Sequence, residues 1–523
     1  MIVVDKTLIQ VAVPGPFLSG LDYLLPADLG QPSVGSRVWV PLGKRKMVGV
    51  VLDMRQESQV ENEKLKMIEG IIDSDPLFSP ILLKLLKWLA QYYHSSIGDV
   101  MHTAMPSLLC QGDAFISAVH SRWRLNPEIR IDLPKLGSKQ QAAIALLTTQ
   151  LFGLDNEMLR QADIGSAVLK SLRAKGLITE IIEPIMPPRA LSVRQALQLN
   201  AVQQIALNAC VNSLDQFSVK LLEGVTGSGK TEVYLQIIAK VLAMGKQALV
   251  LVPEIGLTPQ MVERFQERFL EPIVLLHSGL TESEKLQHWH WAAHEKARII
   301  IGTRSAVFIP SKNLGVIIID EEHDLSFKQQ SGVRYHARDV AIIRAQMENI
   351  PVILGSATPA LESIQNAKLG KYQHLVLPVR AGIANKPHFH LIDMRQQPLQ
   401  GGLSRPFVAA IKRHIDEGGQ ALIFLNRRGY APVLMCHACG WAAACQHCDA
   451  YLTLHQRPLH LSCHHCGASR PVYHTCQSCT EQNSLIEVGV GTEKIEEILQ
   501  QLLPKARILR IDRSNVRRKG ELQ

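Results

Sequence analysis

The sequence has no apolar run long enough to span a bilayer. The nearest stretch, Ile81 to Ala90, is interrupted by Lys84 and Lys87 at amphipathic-helix spacing. The opening residues, Met1-Ile2-Val3-Val4-Asp5-Lys6, carry an acid early with no long apolar segment behind it, so no secretory signal is expected. Low-complexity tracts and arrays of short repeats are absent too, which argues against fibrous and solenoid classes. These absences predict a cytoplasmic protein with no membrane partner. Isolated cysteine is also scarce. Of ten cysteines, only Cys110 and Cys210 stand outside C-x-x-C pairs, and both read as small buried hydrophobes. A disulfide framework is thereby disfavoured, and the paired thiols read as metal ligands.

What is present is ample. The chain has 523 residues, 46% of them apolar, enough for several domains with sizeable cores. A formal net charge of +9 and an isoelectric point near 9.0 suit a nucleic-acid partner.

The strongest local signal is Gly224-Val225-Thr226-Gly227-Ser228-Gly229-Lys230-Thr231, a complete G-x-x-x-x-G-K-T phosphate loop. The apolar stretch Val219 to Leu222 before it reads as a buried strand. The run Thr231 to Ala243 after it reads as a helix ending near Gly245. Glycines let backbone N–H groups turn toward phosphates, and the helix N-terminus adds its positive dipole end. Lys230 is expected on the phosphates of ATP and Thr231 on Mg²⁺. A second motif, Asp320-Glu321-Glu322-His323, follows the apolar run Gly315 to Ile319. Asp320 is expected to hold Mg²⁺ and Glu321 to activate the attacking water.

Apolar strands and helices alternate from residue 195 to about 380, which predicts a doubly wound parallel sheet with ligands at its carboxyl edge. Three further loops follow such strands: Pro253 to Gln260, Gly302 to Ala306, and Gly355 to Pro359. Their hydroxyls, backbone N–H groups and one arginine suit a phosphodiester backbone, with Thr258 and Arg304 as candidate DNA contacts. Residues 1–112 read as strands followed by the helix Pro80 to Tyr93. Residues 113–190 read as three helices and a short strand, the order of a winged helix. Residues 396–435 begin a second α/β lobe, with a strand at Gln420 to Asn426. It is interrupted by a metal segment at 436–480 and continues at 481–523, with a strand at Arg507 to Ile511.

The metal segment holds the pairs Cys436/Cys439, Cys445/Cys448, Cys463/Cys466 and Cys476/Cys479. Five residues separate the first two pairs, a tight loop for one site, whereas 14 residues lie between Cys448 and Cys463, close to ribbon spacing. A nested arrangement follows, with the outer four thiolates on one Zn²⁺ and the inner four on another. An iron–sulfur centre is the alternative, and His437, His447, His464 and His465 are rival ligands.

The loops at 224–231, 258–260, 302–306, 320–323 and 355–359 resemble motifs I, Ia, Ib, II and III of superfamily-two helicases. Longer strings resemble the PriA family of bacterial replication-restart helicases. They are Leu251 to Gln260, His277-Ser278-Gly279-Leu280, Arg334-Tyr335-His336-Ala337-Arg338-Asp339, and Phe424 to Gly429. The resemblance implies RecA-like helicase lobes in 195–395 and beyond residue 396, an N-terminal domain capturing a 3′ DNA end, a winged helix and a zinc-binding insertion. It implies ATP-dependent 3′–5′ unwinding at abandoned forks, with forked and single-stranded DNA, other primosome proteins and single-stranded DNA-binding protein as partners. It implies that Asp22, Gly43 and Lys66 line the 3′-end pocket and that Gln203 reads adenine. It also implies that the loop from Phe327 to Asp339 couples DNA to ATP, with Tyr335 and Arg338 as DNA contacts. Leu21 and Val333 stand where the family pattern has aromatics. No Gln-x-x-Gly-Arg-x-Gly-Arg string occurs, so motifs V and VI are expected to be missing and the chain to be a shortened form that binds more than it unwinds. The alternative is a fork-binding adaptor whose ATP site only switches its conformation.

Overall fold

The computed structural model describes residues 7–511, apart from 59, 62–63, 127–135, 150–153, 191, 255–257, 382–387, 395–398, 401, 426–432, 457–458, 464 and 489–491. Ile255–Leu257, Asn426–Gly429 and His464, all named above, therefore lie outside the described residues. The chain divides into two compact units, Met1–Ala384 and Asn385–Gln523.

The first unit opens with an antiparallel sheet of β1 (Leu8–Ala12), β2 (Leu21–Leu24), β3 (Arg37–Leu42), β4 (Arg45–Arg55) and β5 (Gly70–Ile71), in the order β2-β1-β4-β3-β5. Three helices follow: α1 (Pro80–Tyr92), α2 (Ile97–Thr103) and α3 (Ser107–Cys110). Ser79 caps α1 by accepting from Leu82 N, with Pro80 in the first turn where its missing N–H costs nothing. Arg37 is fully buried. Its guanidinium pairs with Asp73 at 2.7 Å and donates to Leu109 O at 2.7 Å, tying the sheet to α3.

Next come β6 (Val119–Leu125), α4 (Ser138–Thr148), β7 (Leu154–Asp155), α5 (Asn156–Gln161), α6 (Ser166–Ala174) and β8 (Ile178–Pro184). The small sheet has the order β7-β6-β8 and closes over Trp123, Leu147, Leu159 and Leu172. The three helices and final strand match the sequence reading; β6, which starts the element, does not appear in that reading because its polar residues Ser121, Arg122 and Arg124 hide the pattern.

The parallel-sheet core contains α7 (Ala201–Val211), β9 (Ser218–Gly224), α8 (Lys230–Ala243), β10 (Gln247–Leu251), α9 (Pro259–Gln266), β11 (Ile273–Leu276), α10 (Glu282–Ala293), β12 (Ile299–Gly302), β13 (Leu314–Asp320), α11 (Ala337–Glu348), β14 (Pro351–Ser356), α12 (Leu361–Lys368) and β15 (Gln373–Leu377). All seven strands run parallel, in the order β11-β12-β10-β13-β14-β9-β15. Their unbroken apolar runs reflect burial on both faces. Ile317 and Ile319 of β13 join one core cluster with α1, α2 and α11, while Val316 and Ile318 join the other with α7 and α8. The period of two in a strand sends alternate residues to opposite layers. The front helices thus share a core with the parallel sheet and do not form a separate one.

The second unit starts with β16 (Leu399–Gln400), β17 (Leu403–Ser404) and α13 (Arg405–Asp416). An antiparallel sheet follows, of β18 (Val433–Cys436), β19 (Thr453–Gln456), β20 (Leu459–Ser462), β21 (Ser469–Arg470) and β22 (Leu485–Val488), and then α14 (Thr492–Leu502). Ile411 of α13, Leu499 of α14 and Leu503 just beyond it belong to one core cluster. The strands expected at Gln420 to Asn426 and Arg507 to Ile511 do not form over their described residues. Ile423, Leu425 and Ile508 pack on that helical cluster, but Leu422, Phe424, Leu509 and Ile511 point into solvent. Without a hydrogen-bonded neighbour among the described residues, the alternating pattern has nothing to form a ladder with.

Candidate nucleotide site and metal centres

The phosphate loop links the end of β9 to the start of α8. Gly227 and Gly229 have φ of +80° and +83°, the left-handed region open to glycine at little cost. A side chain at Gly224 would place its Cβ 2.4 Å from Ser228 Oγ. Lys230 Nζ donates to Gly224 O at 2.8 Å, and Ser228 Oγ is buried without a hydrogen-bond partner. A buried, partnerless hydroxyl in a glycine-rich loop at a helix N-terminus fits an anionic oxygen. Thr226 and Val225 sit on the open side of the loop, and Thr231 lies in the first turn of α8.

Gln203 braces this loop. Its Nε2 donates to Ser228 O at 2.8 Å, and its Oε1 accepts from Asn200 N at 2.8 Å in the capping box of α7. With 4% exposure and both ends of the carboxamide engaged, Gln203 is held against the loop backbone instead of facing an open base site. Each end keeps one further hydrogen-bonding position, since the amide carries two N–H donors and its oxygen two lone pairs.

Asp320 ends β13, two strands from β9. Its carboxyl is pushed above the usual range, first by burial and then by the charge of Glu321, with the Tyr234 hydrogen bond and Lys230 opposing. Lys230 and Asp320 are therefore close enough to interact electrostatically. Glu321 has a left-handed φ of +48°, and its half-exposed carboxylate lies 3.6 Å from His323 Nδ1. His323 contacts Ser356 Oγ at 2.7 Å and Thr358 Oγ1 at 3.4 Å. Glu322 is fully buried, and its carboxylate accepts from Ala360 N at 2.7 Å, Ser363 Oγ at 2.9 Å and Arg338 Nη1 at 2.9 Å. The acids at the end of β13 are thus wired to the loop after β14 and to the start of α11.

This wiring engages two of the side chains expected to contact DNA. Arg338, 12% exposed, pairs with the buried Glu322 at 2.9 Å. Tyr335 is 1% exposed and packs on Phe308 at 4.9 Å between ring centroids, so its ring offers no face to a base. Phe327 is fully buried as well. An aromatic amid apolar neighbours gains more from the core than from solvent, and local sequence does not show which neighbours the fold brings. Arg304 donates to Ser326 O at 2.9 Å and Lys328 O at 3.3 Å, fastening the β12 loop to the aromatic-rich loop. A cleft of about 310 Å³ beside it is lined by His277, Lys285, Thr303 and Arg304, together with Glu254. Thr258 caps α9 by accepting from Met261 N at 3.2 Å.

In the front sheet, Lys66 Nζ donates to Gly43 O at 3.2 Å, and Gly43 has φ +61° with open space around it. Asp22 Oδ2 accepts from Ser58 Oγ at 2.6 Å, and Oδ1 lies 3.5 Å from Arg55 Nη1.

The thiols collect as two groups: Cys436, Cys439, Cys476 and Cys479, and Cys445, Cys448, Cys463 and Cys466. This is the nested pairing expected from spacing. Sulfur pairs stand 3.7 Å (Cys436–Cys479), 3.6 Å (Cys439–Cys476), 3.5 Å (Cys445–Cys466) and 3.5 Å (Cys448–Cys463) apart. Four thiolates at ~2.3 Å from a tetrahedral Zn²⁺ lie about 3.8 Å from one another, so the residues present fit that ion. No histidine joins either group among the described residues.

Comparison with known proteins agrees with these parts. Residues 10–106 match a 3′DNA-binding domain (3′BD), 200–367 a DEAD/DEAH box helicase, and 445–471 the PriA DNA helicase Cys-rich region (CRR) domain. The replication restart protein PriA of Haemophilus influenzae is 44% identical over 99% of this chain and 71% of its own length. The chain belongs to the PriA replication restart family. PriA of Bacillus subtilis is 35% identical over 95% of this chain and 71% of its own length. This chain therefore spans about 71% of each of those two relatives. RecG bound to a three-way DNA junction, 24% identical, covers 44% of this chain and 29% of its own at a TM-score of 0.32, too slight a likeness to carry an argument.

Sequence reasoning missed Glu322 as the hub of the acid string, Gln203 as a loop brace, and Tyr234. The only local signal for Tyr234 was a polar aromatic four residues after Lys230, on the same face of α8.

Proposed function

We propose that this chain is an ATP-driven 3′–5′ DNA helicase of replication restart, cytoplasmic like the chromosome it serves. It would recognise abandoned forks through its front domain, residues 1–112, and a winged helix at 113–190. The helicase lobes would be 195–395 and the parts on either side of the metal insertion, 396–435 and 481–523, with the double zinc insertion at 436–480. The observation that supports it best is the convergence of the phosphate loop, Asp320 and Glu321 at one edge of a parallel sheet, in a chain that also carries the 3′DNA-binding and Cys-rich matches.

In this reading the N–H groups of Gly227 to Lys230 and the Lys230 ammonium hold the β- and γ-phosphates of ATP. Thr231 and Asp320 hold Mg²⁺, which supplies charge neutralisation at the transferring phosphate. Glu321 takes the proton of the attacking water. Glu322 and His323 transmit the state of that edge to the loops at 355–363 and 325–338. Thr258, Arg304 and the cleft beside Arg304 follow the backbone of a single strand without reading bases. Asp22, Gly43 and Lys66 receive a 3′ end. The two zinc ions would hold the Cys-rich module for strand separation and for docking other primosome proteins and single-stranded DNA-binding protein.

DNA-stimulated ATP hydrolysis, measured on forks, duplex and RNA, tests the reading. Lys230→Ala is expected to lower turnover by roughly 10²–10³-fold, the scale for losing one preorganised donor to developing charge, while fork affinity stays near parental. Turnover that responds equally to RNA would sink the DNA assignment. Fork binding without any turnover in the parental chain would favour an adaptor.

A further inference from the structure

Tyr234 lies on α8 one turn beyond Lys230 and is buried, with 1% exposure. Its hydroxyl donates to Asp320 Oδ1 at 3.1 Å. A phenol beside a carboxylate is the donor of that pair. On the far side stands Gly355 of β14, where a Cβ would fall 1.5 Å from Tyr234 Oη and 2.7 Å from its Cζ. No side chain other than hydrogen fits there while the phenol holds this position. Gly355 has no positive φ and makes no turn, so its backbone conformation does not call for glycine. Three elements thus leave one channel, and the Tyr234 hydroxyl reaches Asp320 through it. Tyr234 reaches Asp320 from within the core.

We propose that Tyr234 is a positioning residue for the divalent cation of the nucleotide site: it holds Oδ1 of Asp320 so that the carboxylate keeps a single rotation and presents Oδ2 to the metal, and Gly355 is the gap that admits it. This rests on the reading of Asp320 as a Mg²⁺ ligand. A carboxylate hydrogen-bonded from behind is oriented before the metal arrives, and loss of such an outer partner typically costs 10–100-fold in metal affinity. Phenylalanine at 234 keeps the ring and its packing and removes only the donor.

The test uses the full chain, Mn²⁺ as a spin probe read by electron paramagnetic resonance, and the slowly hydrolysed analogue AMPPNP. Tyr234→Phe is expected to weaken Mn²⁺ binding to the AMPPNP complex about 10-fold, with AMPPNP affinity in EDTA unchanged. Gly355→Ala, which crowds the phenol, should weaken Mn²⁺ in the same direction. Parental Mn²⁺ affinity in both variants, with a loss in Asp320→Asn, overturns the role of Tyr234 and leaves Asp320 as a ligand. Parental affinity in Asp320→Asn as well removes the metal reading itself. If Tyr234→Phe weakens AMPPNP in EDTA as much as it weakens Mn²⁺, the tyrosine only supports the fold, and the proposal is wrong.

Discussion

At the scale of single residues, chemistry here depends on side chains whose partners lie far away in sequence. Glu322 is the clearest case. Removing its carboxylate leaves the Arg338 guanidinium, 12% exposed, with only Asp339 Oδ1 at 3.3 Å as a charged partner. Breaking a buried pair from one side costs about 3–5 kcal/mol, and the remaining aspartate places Glu322→Ala near the lower end. Urea denaturation of the first unit's transition should show that loss. An unchanged midpoint would mean the pair is not held as the structure has it. Asp22→Ala addresses the front sheet. It should weaken binding to forks with a free 3′-OH and spare forks blocked there, as fluorescence anisotropy would report. An undiminished preference for the free end would remove Asp22 from the pocket.

Among elements, α10 carries a role that its sequence pattern does not announce. Gln287 accepts from Ala118 N, and Trp291 Nε1 donates to Ile185 O at 2.8 Å, so the helix grips both the entry and the exit of the β6–β8 module. Phe115 packs on Trp289 and on His290, and His290 stacks on His294 at 4.0 Å. The His290 imidazole is held down to about 4, by burial first and then by His294 and Lys296. The folded state therefore binds fewer protons than the unfolded chain between that value and the ordinary histidine range. Its contribution to stability is complete above about 6.5 and is lost as pH falls toward about 4. Chemical denaturation at pH about 5 and about 7 should show stability rising with pH. His290→Phe, which keeps a ring against Phe115, should flatten that rise. An equal slope in both chains would assign the effect to other groups.

For the molecule as a whole, two units divide the labour. The candidate nucleotide residues, Gln203, 224–231, Asp320 and Glu321, lie in Met1–Ala384 and both thiol clusters in Asn385–Gln523. Elemental analysis is expected to give two zinc ions per chain, one for each four-thiol group. Because structural zinc contributes folding energy directly, a strong chelator should make the segment from β18 to β22 sensitive to protease. AMPPNP binding by the first unit should persist. Iron with visible absorbance, or a joint loss of nucleotide binding, would contradict this division.

Much of this was legible in the sequence because it depends on local spacing. The phosphate loop needs glycines at fixed offsets before a helix, and Gly227 and Gly229 occupy the left-handed positions that demand them. The nested thiol pairing followed from the short gap between Cys439 and Cys445, which a single tetrahedral site strains to close. The parallel core announced itself through runs such as Gly315 to Ile319, too apolar for a strand with a wet face. Tertiary structure decided where polar groups on those elements point and what they meet. Tyr335 and Arg338 read as DNA contacts because aromatic and basic residues in a loop suit that task; their burial depends on Phe308 and Glu322, which belong to other strands and loops. Gln203 and Tyr234 gained their roles from contacts across 25 and 86 positions of sequence. Helical and strand periods report which face of an element is apolar, but a hydrogen bond between elements exists only once packing has chosen the neighbours.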